Sequence, residues 1–303
     1  MRRVVLLLPL LAAALLGGCG SGAVEAGPTR SAVATGPVLP DRAPTPSPRP
    51  TPTAGDLVSP VAEPPPAAGG APAPGTGTGG LTSIAGSTRN QIVWAPLSNP
   101  SAVRSEGSVS RFKAWSTSKV LVVAAYLDTV VGGDPARIPS GDRSLIAAAL
   151  TRSDGDAVVA IRDRIPGSPG AAITAVLRSI GDTTTSAPDR SQGAMSWSPR
   201  EQVRFMAALA AGKVVSPAAS AWLLGQMHPI PQHRWGLGTI GASSFKGGWL
   251  TPDSETRQMG IVGGYAVAII TVGEGPAVVQ TDGDSAHVQQ MNRLAALLAT
   301  RLG

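Results

Sequence analysis

Apolar and polar positions alternate in two different ways along the chain, and the pattern begins only near residue 90. Period-two runs predict strands, whereas longer apolar runs with helical spacing predict helices. The predicted strands are Asn90 to Pro96, Val109 to Ala114, Ser243 to Lys246, Gln258 to Val262 and Ala266 to Val272. The predicted helices are Ser116 to Leu127, Ser144 to Leu150, Asp156 to Ile165, Pro169 to Ile180, Ser198 to Ala211, Ser216 to Met227 and Ser285 to Leu302. Strands at both ends with helices between them predict an α/β fold with a helical insertion.

The first 88 residues have a different character. Arg2 and Arg3 precede an apolar stretch from Val4 to Leu16 that ends at Leu16-Gly17-Gly18-Cys19, which resembles a bacterial lipobox. We therefore expect a lipoprotein signal peptide at residues 1–19 and a lipid anchor on Cys19; the alternative is an ordinary secretory signal with a chance cysteine. Residues 20–88 carry 14 of the 28 prolines and predict a disordered stalk. The remaining residues, 89–303, form the predicted domain, which we expect outside the cytoplasm.

The charge and the cysteine content limit which partners and which disulfides we expect for this chain. The net charge is +6, and 21 Arg stand against 4 Lys. Cys19 is the sole cysteine, so the chain forms no internal disulfide. The modest charge and the expected export both argue against a nucleic-acid partner. We also expect the protein to be a monomer. His228, His233 and His287 lack the spacing of a zinc site, so we expect no metal and no cofactor.

The candidate chemistry begins with the S-x-x-K pattern, which occurs three times: Ser110/Lys113, Ser116/Lys119 and Ser243/Lys246. Only the central copy opens a helix, where residues i and i+3 share a face. The Ser116 hydroxyl is therefore expected to lie against the Lys119 amine. A desolvated lysine can act as a base, so the pair predicts an activated nucleophile.

Two later stretches complete a known pattern, Ser153-Asp154-Gly155 and Lys246-Gly247-Gly248. With Ser116 and Lys119 they resemble the motif set of the class A serine β-lactamases and penicillin-binding proteins. The segments LRSIGDTTT and MSWSPREQVRFMAAL are also similar to that family, and the resemblance covers residues 89–303. It implies an antiparallel sheet flanked by helices, with an all-helical insertion.

The resemblance also implies roles for single residues. Ser116 would be acylated, Lys119 would take its proton, and Ser153 would pass that proton to the leaving group. Lys246 would hold a substrate carboxylate, and the N–H groups of Ser116 and Trp249, beside Gly248, would form the oxyanion hole. Gly155 would lie where the substrate binds. A small-molecule or peptidoglycan-type substrate follows from the same likeness.

Departures from the family pattern limit these expectations. Gly155 stands where the family has asparagine, and Gly247 replaces the usual hydroxyl residue. There is no Glu between Glu106 and Glu201; Glu201 fits a helix cap, and Asp189 is a poor substitute for the missing base. We therefore expect a serine hydrolase that is acylated but slowly deacylated. The alternative is a catalytically inactive lipoprotein that binds a ligand of the cell envelope.

Overall fold

The structure is a computed structural model that describes residues 80–249, 255–274 and 286–303. The predicted signal peptide, Cys19 and the stalk as far as residue 79 lie outside the described residues. Within them, five antiparallel strands form one sheet in the order β2-β1-β5-β4-β3. The strands are β1 (Asn90–Pro96), β2 (Arg104–Gly107), β3 (Ser244–Trp249), β4 (Glu255–Val262) and β5 (Tyr265–Val272).

Helices cover both faces of this sheet, which confirms the fold class predicted from the sequence. They are α1 (Lys119–Thr129), α2 (Ser140–Thr151), α3 (Gly155–Arg162), α4 (Pro169–Ser179), α5 (Pro199–Ala210), α6 (Pro217–Gln226) and α7 (Ala286–Leu302). No helix within the described ranges is both long enough and apolar enough to span a membrane.

The period-two pattern of the strands divides the core into two layers. In β1, Ile92 and Trp94 pack with the apolar side chains of α7, whereas Val93 and Ala95 face the helices of the insertion. The same alternation runs through β5, where Val267 and Ile269 belong to the α7 layer. The sheet is therefore buried on both faces, and its β3 edge meets the start of α1.

Helix α1 lies at the centre of the insertion. Every residue from Lys119 to Leu127 is buried, because α2, α3, α4 and α6 all pack against this helix. A helix that is apolar all round needs such surroundings. Its first turn is consequently held in a fixed position beside the sheet.

The second predicted strand was wrong. Residues 109–114 do not join the sheet; β1 pairs with β5 on one side and, on the other, with β2, a short polar segment at the sheet edge. The sequence of β2 has no amphipathic pattern. The Glu106 carboxylate in this strand accepts hydrogen bonds from the Ser83 hydroxyl, the Ile84 N–H and the Arg301 guanidinium. Ile84 is buried, so the packed region extends upstream of the predicted boundary at residue 89.

The segment that was predicted as a strand has another structural role. The Ala114 N–H donates to the Met195 carbonyl at 2.9 Å, and the Trp197 N–H donates to the Phe112 carbonyl at 3.0 Å. These bonds join the residues before Ser116 to a loop between α4 and α5. The loop and the nucleophile segment are thereby fixed against each other.

Candidate active site

Ser116 and Lys119 are joined as the sequence predicts. Ser116 lies in a 3-10 turn (Trp115–Ser118) that leads directly into α1, and Lys119 is the first residue of that helix. The Lys119 Nζ lies 2.7 Å from the Ser116 Oγ. When the amine is neutral, the same contact lets the serine hydroxyl donate its proton toward Nζ.

Ser153 and Lys246 extend this contact into a chain of four side chains. The Ser153 carbonyl accepts a hydrogen bond from Lys119 Nζ at 2.9 Å, and its Oγ lies 3.4 Å from the same nitrogen. Lys246 Nζ donates to the Ser153 Oγ at 2.9 Å and to the Gly247 carbonyl at 2.8 Å. The four predicted catalytic residues therefore meet in one hydrogen-bonded array.

Both amines are buried, and burial changes their basicity. Lys119 is 7% exposed, and desolvation lowers its pKa to about 8, against a smaller opposing effect of the Asp154 carboxylate. Lys246 is 2% exposed; burial, with the nearby charge of Lys119 as a second cause, holds its pKa well below the ordinary lysine value. A lysine with a pKa near 8 is suited to general-base chemistry at neutral pH.

The end of β3 runs directly against the nucleophile. At Gly248 an added Cβ would lie 2.9 Å from the Ser116 nitrogen and 3.0 Å from the Thr117 nitrogen, so only glycine allows this approach. Trp249 follows Gly248 on the strand, and its ring contacts the rings of Trp235 and His233. The close passage of β3 beside the Ser116 N–H is consistent with an oxyanion hole formed by these two backbones, which stays a prediction.

Gly155 and Gly247 bring no polar side chain to the site. Gly155 is the first residue of α3, and nothing lies within 4 Å of the position a Cβ would take. Gly247 brings no hydroxyl, and the neighbouring Lys246 amine is turned inward onto Ser153 and its own strand. This geometry does not favour the carboxylate-binding role that the resemblance implies for Lys246.

Backbone strain is concentrated around the site. In the described part of the chain, four non-glycine residues have positive φ: Trp115 (44°), Ser153 (61°), Ser191 (53°) and Val215 (65°). The first immediately precedes the nucleophile, and the second belongs to the array. Such conformations cost about 1–3 kcal/mol each and persist where the surrounding structure enforces them, which is typical of functional sites.

Neither remaining carboxylate candidate supplies a base for deacylation. The Glu201 N–H donates a hydrogen bond to the Ser198 hydroxyl oxygen at 3.2 Å, and the Glu201 carboxylate pairs with Arg204 at 2.6 Å. Asp189 is exposed and accepts from the Ser168 hydroxyl at 2.5 Å and the Gly170 N–H at 2.9 Å, bonds that lower its pKa. The Asp189 carboxylate thus serves the N-terminus of α4, whereas the Glu201 carboxylate forms an ion pair within α5.

Gln192 is a further residue of the cleft beside the nucleophile, and the sequence reasoning missed it. Gln192 follows the strained Ser191, is buried, and lines the same cleft as Ser116 and Lys119. Its Nε2 donates to the carbonyls of Pro188 and Asp189 at 3.1 and 2.8 Å. The glutamine side chain has the length of glutamate but ends in an amide, so a search for carboxylates does not find it. The only available signal in the sequence was its position after the GDTTT segment.

The cleft itself has a volume of about 300 Å³. Apolar side chains form most of its wall, with Trp115 and Trp249 on two sides of the nucleophile. The lining residues are Trp115, Ser116, Ser118, Lys119, Val122, Val158, Val159, Arg162, Ser191, Gln192, Gly193 and Trp249. Among the described residues, no group of three His, Cys, Asp or Glu side chains could hold a metal ion.

Comparison with solved structures agrees with this architecture. A β-lactamase from Chitinophaga pinensis superposes with a TM-score of 0.56 at 16% identity, covering 71% of this chain and 94% of that one. The chain has the serine β-lactamase fold. A variant of the last common ancestor of class A β-lactamases of Gram-negative bacteria gives 0.52 at 20% identity, covering 71% and 94% of the two chains. PBP-A gives 0.52 at 18% identity, covering 72% and 92%.

Sequence comparison adds nothing to this assignment. No protein-family model matches the chain, and no curated protein matches it. At these identities the likeness concerns the β-lactamase fold alone. The chemistry of this chain has to be argued from its own residues.

Proposed function

We propose that the protein is a serine acyl-transfer enzyme of the β-lactamase or D,D-peptidase type, in which Ser116 forms a covalent acyl-enzyme. The observation that carries the proposal is the hydrogen-bonded array of Ser116, Lys119, Ser153 and Lys246. Two buried amines and two hydroxyls are costly to bring together for packing alone. The substrate class is a β-lactam, a peptidoglycan-type amide or another activated amide or ester.

The acylation step uses each member of the array. Neutral Lys119 takes the proton from the Ser116 hydroxyl while Oγ bonds to the substrate carbonyl carbon. The carbon–nitrogen or carbon–oxygen bond to the leaving group then breaks, and the proton reaches the leaving atom through Ser153. Lys246 orients Ser153 through the 2.9 Å hydrogen bond. The products are the acylated serine and a protonated leaving group, with no net change in protons.

Hydrolysis of that intermediate is proposed to be slow. It requires a water molecule, and a base to remove a proton from it as it attacks the acyl carbon. Gln192 occupies the cleft wall beside Ser116, but an amide cannot accept that proton, and its own N–H groups are committed to two carbonyls. The acyl-enzyme is therefore expected to accumulate.

The second candidate is a protein of this fold that binds a cell-envelope ligand without chemistry. Gly155 and Gly247 favour it, because each lacks the polar side chain of the family pattern, and Gln192 favours it, because an amide is no base. The lowered pKa of Lys119 opposes it, since a binding site needs no base poised near neutral pH. Residual serine chemistry is therefore the preferred proposal.

Intact-protein mass after incubation with a penicillin separates the two candidates. Acylation predicts an adduct of one penicillin mass that disappears in Ser116→Ala. Ser243→Ala is the matched control, because Ser243 begins another S-x-x-K copy and its hydroxyl lies 3.5 Å from the Ile261 carbonyl, on the far end of β3. Absence of any adduct at high penicillin concentration would favour the binding protein.

The location of the enzyme is a separate proposal that rests on residues 1–88. We propose that a lipid on Cys19 anchors the protein outside the cytoplasmic membrane and that the proline-rich stalk extends the domain away from it. Cys19→Ser should move the protein from the membrane fraction to the soluble fraction. Retention of this variant in the membrane would contradict the anchor.

A further inference from the structure

The cleft that contains Ser116 continues well beyond the catalytic array. Val122 on α1 and Val158 and Val159 on α3 line it together with Trp115. Val159 is 40% exposed. Because ligand sites are lined mainly by apolar side chains, an apolar wall next to a nucleophile favours an apolar ligand group.

The polar side chains of the cleft offer little to a charged or amide-bearing ligand. The Ser118 hydroxyl donates to the Trp115 carbonyl at 2.7 Å, and the Gln192 amide donates to two carbonyls. Two nitrogens of Arg162 bond the Asp163 carboxylate, at 2.9 and 2.6 Å. Lys119 is occupied by Ser116 and Ser153. Apart from the exposed Ser191, these polar side chains are engaged within the protein, so recognition beyond the reacting carbonyl is left mainly to apolar contact.

The array also fixes which end of a substrate enters this cleft. The leaving group receives its proton through Ser153, which is held by Lys246, so it must lie on the side of these two residues. Neither residue lines the cleft, whereas Ser116, Lys119 and Gln192 do. The cleft therefore lies on the other side of the reacting carbon, which is the side of the acyl group.

We propose that the preferred substrate is an ester with a medium-length apolar acyl chain, which lies along Val122, Val158 and Val159 once Ser116 is acylated. This inference rests on the proposed function and names its substrate class. A cleft of about 300 Å³ lies at the lower end of the volumes of small-ligand sites, which suits an acyl chain of medium length such as octanoyl. Such a chain makes no use of the amide that is missing at Gly155 or of the hydroxyl that is missing at Gly247.

The test is a series of 4-nitrophenyl esters from acetate to octanoate. The rate of 4-nitrophenol release in the acylation phase and the mass of the Ser116 adduct are followed for each ester. Each buried methylene should raise the second-order acylation rate about two- to fourfold, so octanoate should react at least about fiftyfold faster than acetate. Val159→Asn should reduce the octanoate rate about tenfold and lower the ratio of the octanoate rate to the acetate rate.

Val288→Asn on α7 is the matched control, since it makes the same change in the layer beyond the other face of the sheet. Its ratio of octanoate to acetate rates should equal that of the wild type. Ser116 adducts that form at equal rates for all chain lengths would overturn the acyl-chain proposal and leave the proposed function standing. Failure of every ester and of penicillin to label Ser116 would overturn both.

Discussion

Two walls of the active site differ in completeness. One wall, formed by the 3-10 turn and first residue of α1, the segment between α2 and α3, and strand β3, carries Ser116, Lys119, Ser153 and Lys246, with every side chain in hydrogen-bond contact with the next. The other wall, at Ser191 to Gly193, presents the amide of Gln192. The first wall suits acylation, whereas the second lacks a proton acceptor for hydrolysis. On the proposed function, the fold retains one half-reaction while its loops set the fate of the intermediate.

The largest effect on the acylation rate is expected for a substitution in the complete wall, the one that carries Ser116 and Lys119. Lys119→Met should lower the acylation rate about 10²- to 10⁴-fold, because it removes the proton acceptor of the nucleophile. Rapid quenching followed by mass measurement of the penicillin adduct gives this rate. Lys213→Met is the control, since Lys213 lies between α5 and α6, outside the cleft lining. Acylation of Lys119→Met at the wild-type rate would remove Lys119 from the mechanism.

The complete wall was also the part that the sequence predicted best. Helical spacing joined Ser116 to Lys119, and the motif resemblance brought in Ser153 and Lys246. The fold class followed from apolar periodicity, whereas β2 did not, because an edge strand with the sequence RSEG has no apolar face. Gln192 was missed for a related reason: an irregular polar segment carries no periodicity, and only tertiary hydrogen bonds bring its side chain to the cleft.

A smaller effect is expected on the incomplete wall. Gln192→Glu should speed decay of the acyl-enzyme about tenfold to a hundredfold, because it adds a proton acceptor beside Ser116. The gain is limited, since a carboxylate loses two hydrogen bonds to backbone carbonyls and should lower the free energy of unfolding by about 1–3 kcal/mol. Decay of the penicillin adduct, measured by mass, and thermal denaturation report the two effects.

Gln192→Ala serves as the control for this variant, because it removes the same hydrogen bonds without adding a base. Its adduct should decay no faster than that of the wild type. Equal acceleration in both variants would mean that loosening of the loop, and not base catalysis, limits hydrolysis. If the adduct of Gln192→Glu decayed no faster than that of the wild type, the lack of a base at position 192 would not be what limits hydrolysis.

The pH dependence of acylation should follow the Lys119 amine. With a pKa of about 8, the neutral form makes up about a tenth of the protein at pH 7 and half at pH 8. Because only the neutral amine accepts a proton, the acylation rate should rise about fivefold over this interval and level off above about pH 9. A rate that falls over the same interval would contradict a neutral lysine base.

The smallest expected effect tests whether Lys119 is the group that controls the pH dependence of acylation. The Asp154 carboxylate raises the pKa of Lys119, so Asp154→Asn should move the rising limb of the profile to lower pH. Asparagine still accepts the Ala157 N–H and caps α3, so the helix should stay intact. Asp156→Asn, in the first turn of the same helix, should leave the limb in place. An unchanged limb in Asp154→Asn would show that another group controls acylation.

Pre-steady-state hydrolysis of a chromogenic β-lactam tests the difference between the two walls most directly. The account predicts a burst of about one molecule per protein molecule, followed by a steady rate at least about a hundredfold slower, with the burst absent in Ser116→Ala. Steady turnover without a burst would contradict it, because hydrolysis would then be at least as fast as acylation.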